Sequence, residues 1–149
     1  MNRFVISLVL SLAMLSSGCA TSRKVVVNPG TSIQPKSAHV VTHGDNSADM
    51  DASLQRALMS HGLRVTSGPD GQQTDADLLV RYADNWKWDM VMYLRALDVQ
   101  VYDAKTGTLL GSGAWKNSAL HGYHDRDKVV SNIVDELATK LGFPIAKAP

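Results

Sequence analysis

The residues best suited to chemistry fall in three short stretches. The first is His121 and His124 with Asp125 and Asp127 close behind. Imidazole and carboxylate suit zinc or another borderline cation, so His121 and His124 are the candidate metal ligands. A structural zinc site needs four ligands at fixed geometry, and only part of one is visible here. The same aspartates serve equally as caps at the start of a helix, where the dipole favours negative charge. His39 and His43 are four apart in a predicted extended segment, about 13 Å along one face, and cannot share a metal there. The second stretch is Gly111-Ser112-Gly113, a serine between glycines. It lies inside a predicted strand and lacks the spacing of a nucleophile elbow. Asp84 and Asp89 could pair as acid and base, but solvation at a strand edge explains them as well. No glycine-rich phosphate loop precedes a helix, so no cofactor is expected. With no convergent constellation, the expectation is a protein that is not an enzyme.

The third stretch is Asn85-Trp86-Lys87-Trp88-Asp89-Met90. Two indoles on one strand face make a large rigid apolar surface of the kind enriched at binding hot spots. Trp86, Trp88 and, further on, Tyr93 are therefore the candidate binding residues. Alternation by itself predicts burial beneath a helix before it predicts display, and a mixed outcome would leave one indole covered and one at the edge.

These residues need a frame, and composition sets its size. The chain has 149 residues, 44% hydrophobic and 19% charged, with 15 Lys+Arg against 14 Asp+Glu. One globular domain fits, and a wholly disordered chain does not. The near-neutral balance removes the electrostatic case for nucleic-acid binding. A single cysteine, Cys19, excludes an intramolecular disulfide framework.

Met1-Asn2-Arg3 is a short basic start, followed by the apolar run Phe4 to Leu15. Twelve residues of helix cover about 18 Å, short of a hydrocarbon core about 30 Å thick, and suit a secretion signal instead. Ser16-Ser17-Gly18 then places small residues directly before Cys19. This grammar resembles the lipobox of bacterial lipoproteins, although Ser16 stands where leucine is usual. The resemblance implies removal of residues 1–18 and acylation of Cys19, which becomes the first residue and the membrane anchor. Ala20, rather than aspartate, implies sorting to the outer membrane with the domain facing the periplasm.

Residues 19–37 read as a lipidated, mostly extended tether, with a short strand at Val25–Val27 and turns at Asn28-Pro29-Gly30 and Pro35. Arg23 and Lys24 are read as solvated. The domain spans 38–143 and a loose tail 144–149. Strands are expected at Ala38–Thr42, Leu63–Thr66, Asp77–Tyr82, Val91–Tyr102 and Thr108–Lys116. Met50, Leu54, Ala57 and Leu58 mark one amphipathic helix, and Val130, Ile133, Val134, Leu137 and Leu141 a second. In Val91–Tyr102, Val91, Tyr93, Leu97, Val99 and Val101 share one side, with Arg95 as the exception. The fold class is α+β: a two-layer sandwich, two helices on one face of a mostly antiparallel sheet of about five strands. The order of elements, with Ala76–Tyr82 as central strand and Val99–Gly107 as hairpin, resembles that of uncharacterised families of small proteobacterial envelope lipoproteins. It implies a lipid-anchored domain and no catalytic residue.

The leading expectation is a non-enzymatic, lipid-anchored module that docks another envelope protein, or a cell-wall or lipid component. Two rivals stand beside it. One is an envelope hydrolase or metal-dependent enzyme built on His121 and His124. The other is a structural stress-response lipoprotein that packs within an assembly.

Overall fold

The computed structural model describes residues 21–118 and 122–143. Cys19, His121, the signal 1–18 and the tail 144–149 lie outside the described residues. The elements are β1 (Ser22–Val27), β2 (Ser37–Thr42), α1 (Ala48–Ser60), β3 (Arg64–Pro69), β4 (Leu78–Asp89), β5 (Val91–Asp103), β6 (Leu109–Lys116) and α2 (Arg126–Leu141).

The strands form one six-stranded mixed sheet in the order β1-β6-β5-β4-β2-β3. The expected α+β sandwich is present, but two features of the sheet differ from the sequence reading. First, β2 runs parallel to both β3 and β4. The connection from β2 to β3 carries α1, and a strand–helix–strand crossover brings its second strand back parallel to the first. Second, β1 begins at Ser22, three residues before the strand expected at Val25, and pairs with β6 along its full length. Six residues of the segment read as a tether, Ser22–Val27, therefore belong to the sheet.

Both helices form where the apolar spacing requires them. Met50, Leu54, Ala57 and Leu58 of α1 are buried, as are Val130, Ile133, Val134, Leu137 and Leu141 of α2. Asp125 caps α2 by accepting the Lys128 N–H at 3.0 Å. Gly142 closes it with φ of +74°, and Phe143 folds back into the core. Ser47 occupies the N-cap position of α1 without a side-chain cap. Its own N–H is held by the Asp84 carboxylate at 3.2 Å.

The core lies between the helices and the face carrying Val25, Val40, Val80, Leu97, Val99 and Val101. On β6 that face is floored by Gly111 and Gly113. A Cβ at Gly113 would stand 2.4 Å from Ile133 Cγ2, so the missing side chain is what lets α2 approach the sheet. On the other face, the β3–β4 loop folds over β2 and leaves His39 and Val41 almost fully buried. An Arg81–Asp70 pair at 2.6 and 2.8 Å clasps this loop. The Asp77 carboxylate fastens the entry to β2, accepting from the backbone N–H groups of Lys36 at 2.8 Å and Ser37 at 3.2 Å. These bonds favour the charged form and hold the Asp77 carboxyl below its ordinary range.

Candidate functional site

β4 and β5 outrun the sheet. β2 pairs with β4 only as far as Val80, and β6 pairs with β5 only as far as Ala96. Beyond Asn85, opposite Ala96, the two long strands pair only with each other and reverse at Met90. The arm so formed carries both tryptophans of the third stretch.

The register of β4 and β5 shifts at the root of this arm. Asn85 pairs with Ala96, but Trp86 pairs with Leu94, leaving Arg95 as the extra residue of a bulge. The bulge reverses the phase of β5. Leu94 and Met92 now share the helix-side face with Leu97, while Tyr93 and Val91 turn to the opposite side. The apparent exception at Arg95 was the point where the pattern changes phase, so the expected shared face of Val91, Tyr93 and Leu97 does not form. Arg95 is anchored by donating to the carbonyls of Asn117 at 3.2 Å and Ser118 at 2.7 Å.

The candidate binding residues are thereby divided. Trp86 is half-buried against the core, and its indole N–H donates to Asp84 at 2.6 Å. Trp88, one step further out on the same face, is 72% exposed and lies opposite Met92, 58% exposed. Met90 at the reversal is 82% exposed, and Val91 beside it 52%. Tyr93 lies on the other face, where its ring meets Tyr123 edge-to-face at 6.1 Å. The Tyr123 hydroxyl donates to the Asp89 carbonyl at 3.0 Å and braces the arm from that side. Of the three residues chosen from sequence, Trp88 is displayed, Trp86 is a buttress and Tyr93 is a brace. Met90, Val91 and Met92 are displayed too.

Met90 adopts φ of +62°. A left-handed conformation costs a side-chain-bearing residue about 1–2 kcal/mol, and turns normally place glycine or asparagine there. A long apolar side chain is thus held at the most exposed point of the arm, in a conformation that suits it poorly.

Of the two metal candidates the structure describes only His124. Among the described residues no group of three or more His, Cys, Asp or Glu is placed to hold an ion. His124 is exposed, its ring edge-on to Trp115 at 5.3 Å. Asp127 is engaged by Ser53, Arg56 and Arg126, and the Ser53 hydroxyl is the chief cause of its lowered pKa. Asp84 and Asp89 lie on opposite faces of β4. Ser112 is within β6, its flanking glycines packed under Ile133 and Leu137. A cleft of about 420 Å³ opens beside Arg23, Trp115, His124 and Lys128, at the end of the sheet from which the arm projects. Burial pushes the Tyr82 hydroxyl up to about 12, with Asp51 and Asp84 nearby adding to the effect. It stays protonated and packs in the core. Among the described residues no helix is long and apolar enough to cross a membrane.

The fold is similar to that of PelC from Paraburkholderia phytofirmans, whose crystal structures are of a dodecamer. One PelC structure matches with a TM-score of 0.58 at 12% identity, over 82% of this chain and 98% of that one. A point variant of PelC matches with 0.56 at 13% identity, over 82% and 97%. A minor lipoprotein from Acinetobacter baumannii aligns over 76% of this chain and 97% of its own, at 14% identity and a TM-score of 0.38, too low to bear on the fold. No protein-family model matches the chain, and no curated protein matches it in sequence.

Proposed function

We propose that this chain is a non-enzymatic bacterial lipoprotein of the outer membrane, anchored through Cys19, whose periplasmic domain is a docking module with the β4–β5 arm as its contact surface. One observation carries the proposal: the arm leaves the sheet and displays Trp88, Met90, Val91 and Met92, all more than half exposed, although none of them is needed to complete the core. Anchoring confines the domain to one surface and raises its effective concentration for weak contacts there. The signal grammar before Cys19 supports the anchor.

The test is crosslinking of the acylated protein in cells, followed by purification and mass spectrometry. The arm should supply most adducts, and Cys19→Ser should lose them. Adducts spread evenly over the surface, or unchanged in Cys19→Ser, would refute the module.

A second reading, a structural subunit of a homo-oligomer, draws on the fold shared with dodecameric PelC. The mass of the detergent-solubilised lipoprotein tests it. For the metal-dependent hydrolase, stoichiometric zinc after mild purification, lost in His124→Ala, would revive an enzyme.

A further inference from the structure

The arm and the anchor leave the domain at the same end. Ser22, the first residue of β1, is level with Lys116 of β6, and Lys116 is level with Ala96 of β5 at the root of the arm. Asn85 pairs with Ala96, so the arm rises from the level at which β1 begins. From Asn85 to Asp89 it runs four residues, about 13 Å at strand rise. From Ser22 back to Cys19 is three residues, at most about 10 Å of extended chain. The connection to the anchor is therefore no longer than the arm, and only two intervening strands separate β1 from β4. A domain held by Cys19 with its sheet upright brings the tip of the arm to the depth of the anchor.

We infer that the tip of the β4–β5 arm inserts into the bilayer that holds Cys19, giving the domain a second membrane contact that fixes its orientation. The inference rests on the acylation of Cys19 proposed above, and it names a lipid surface as what the arm docks. The side chains fit that surface. Met90, Val91 and Met92 form the apolar point, and Trp88 stands just behind them, where an indole favours the interface between headgroups and acyl chains. Tyr93 and Tyr123 lie one step back on the other face. Charge at this end is mixed: Lys87, Lys116 and Arg23 stand with Asp45, Asp49 and Asp89. The contact is thus apolar rather than a basic patch on anionic lipid, and neutral vesicles suffice to form it. The turn conformation agrees, since Met90 keeps an apolar side chain where asparagine would relieve the backbone.

The test is tryptophan quenching in the full-length lipoprotein reconstituted into phosphatidylcholine vesicles, with and without brominated acyl chains. Bromine in the acyl region should quench part of the emission, and Trp88→Phe should abolish at least two-thirds of that quenching. Trp86→Phe and Trp115→Phe should each leave it nearly unchanged. Met90→Asn should cut it several-fold while leaving the unfolding midpoint the same or higher, which separates loss of contact from loss of fold. Equal quenching in wild type and Trp88→Phe would overturn the inference. So would an unquenched Trp88 in an acylated protein, including the case where Met90→Cys forms a disulfide between two copies because the arms pack on each other. The mass of the N-terminal peptide reads the anchor separately. An unacylated Cys19 with Trp88 quenched refutes the anchor and supports the arm. An acylated Cys19 with Trp88 unquenched refutes the arm alone.

Discussion

β4 and β5 are each two things in one strand. In their inner halves, Val80, Tyr82, Val99 and Val101 face the helices and are almost fully buried. In their outer halves the pairing continues, but helices and neighbouring strands stop, and Trp88 and Met92 on that same face are open. The alternation of apolar residues along β4 is nearly the same in both halves. What differs is coverage, which depends on where α1 and α2 begin and where β2 and β6 end. A period-two pattern thus records that one face of a strand is apolar, and says nothing of whether another part of the chain will cover it. The inner halves hold the fold, and the outer halves are free to meet something else.

Substitutions should divide accordingly. Leu97→Ala, in the fully buried inner half, should destabilise by about 3 kcal/mol, because the transfer term and the cavity add. Urea unfolding followed by circular dichroism reads this. An effect below 1 kcal/mol would mean the helix layer is loosely packed. Gly113→Ala should cost about 2 kcal/mol, since its Cβ must displace Ile133 and shift α2 outward. Trp86→Ala sits at the junction and should cost about 1–2 kcal/mol, through lost packing and the hydrogen bond withdrawn from Asp84.

The smallest expected effects on stability are at the tip. Trp88→Ala should change it by no more than about 0.5 kcal/mol, as for other exposed positions. Met90→Asn should raise it slightly by relieving the left-handed backbone. A loss above 1 kcal/mol at Trp88 would show that the arm contributes to folding, and the contrast between the halves would fail.

Asp77 sharpens the contrast from the far end of the sheet. Its folded pKa lies below the ordinary 3.8 because backbone N–H groups bind the carboxylate. Its contribution to stability is therefore present above that ordinary value and lost as pH falls through the lower folded one. Asp77→Asn should be less stable than wild type at pH 7, and the gap should narrow below about pH 4. Membrane contact by the arm should not follow this titration.

Much of the fold was legible in the sequence. Both helices follow from apolar spacing, and the start of α2 from its capping aspartate, Asp125. Three things were not. The parallel pairing of β2 depends on the α1 crossover, which no strand records locally. Membership of Ser22–Val27 in the sheet depends on a free edge of β6, and the polar Ser22-Arg23-Lys24 gives no strand signal. The bulge at Arg95 was visible only as a break in alternation, and its sense depends on the backbone carbonyls of Asn117 and Ser118. Of the candidate site, the tryptophan stretch singled out by sequence is the one that lies on the arm, but which indole is displayed depends on where the helix layer ends. Tyr123 could not be tied to Tyr93, because thirty residues separate them and nothing in their spacing pairs them.

The most direct measurement is photo-crosslinking in the living cell, with benzoylphenylalanine in place of Trp88 and, in a second strain, in place of Asp98 on the opposite, exposed face of β5. The account predicts abundant adducts from position 88, of lipid mass, and few from position 98. Equal yields from the two positions, or none from position 88 in an acylated and folded protein, would contradict it.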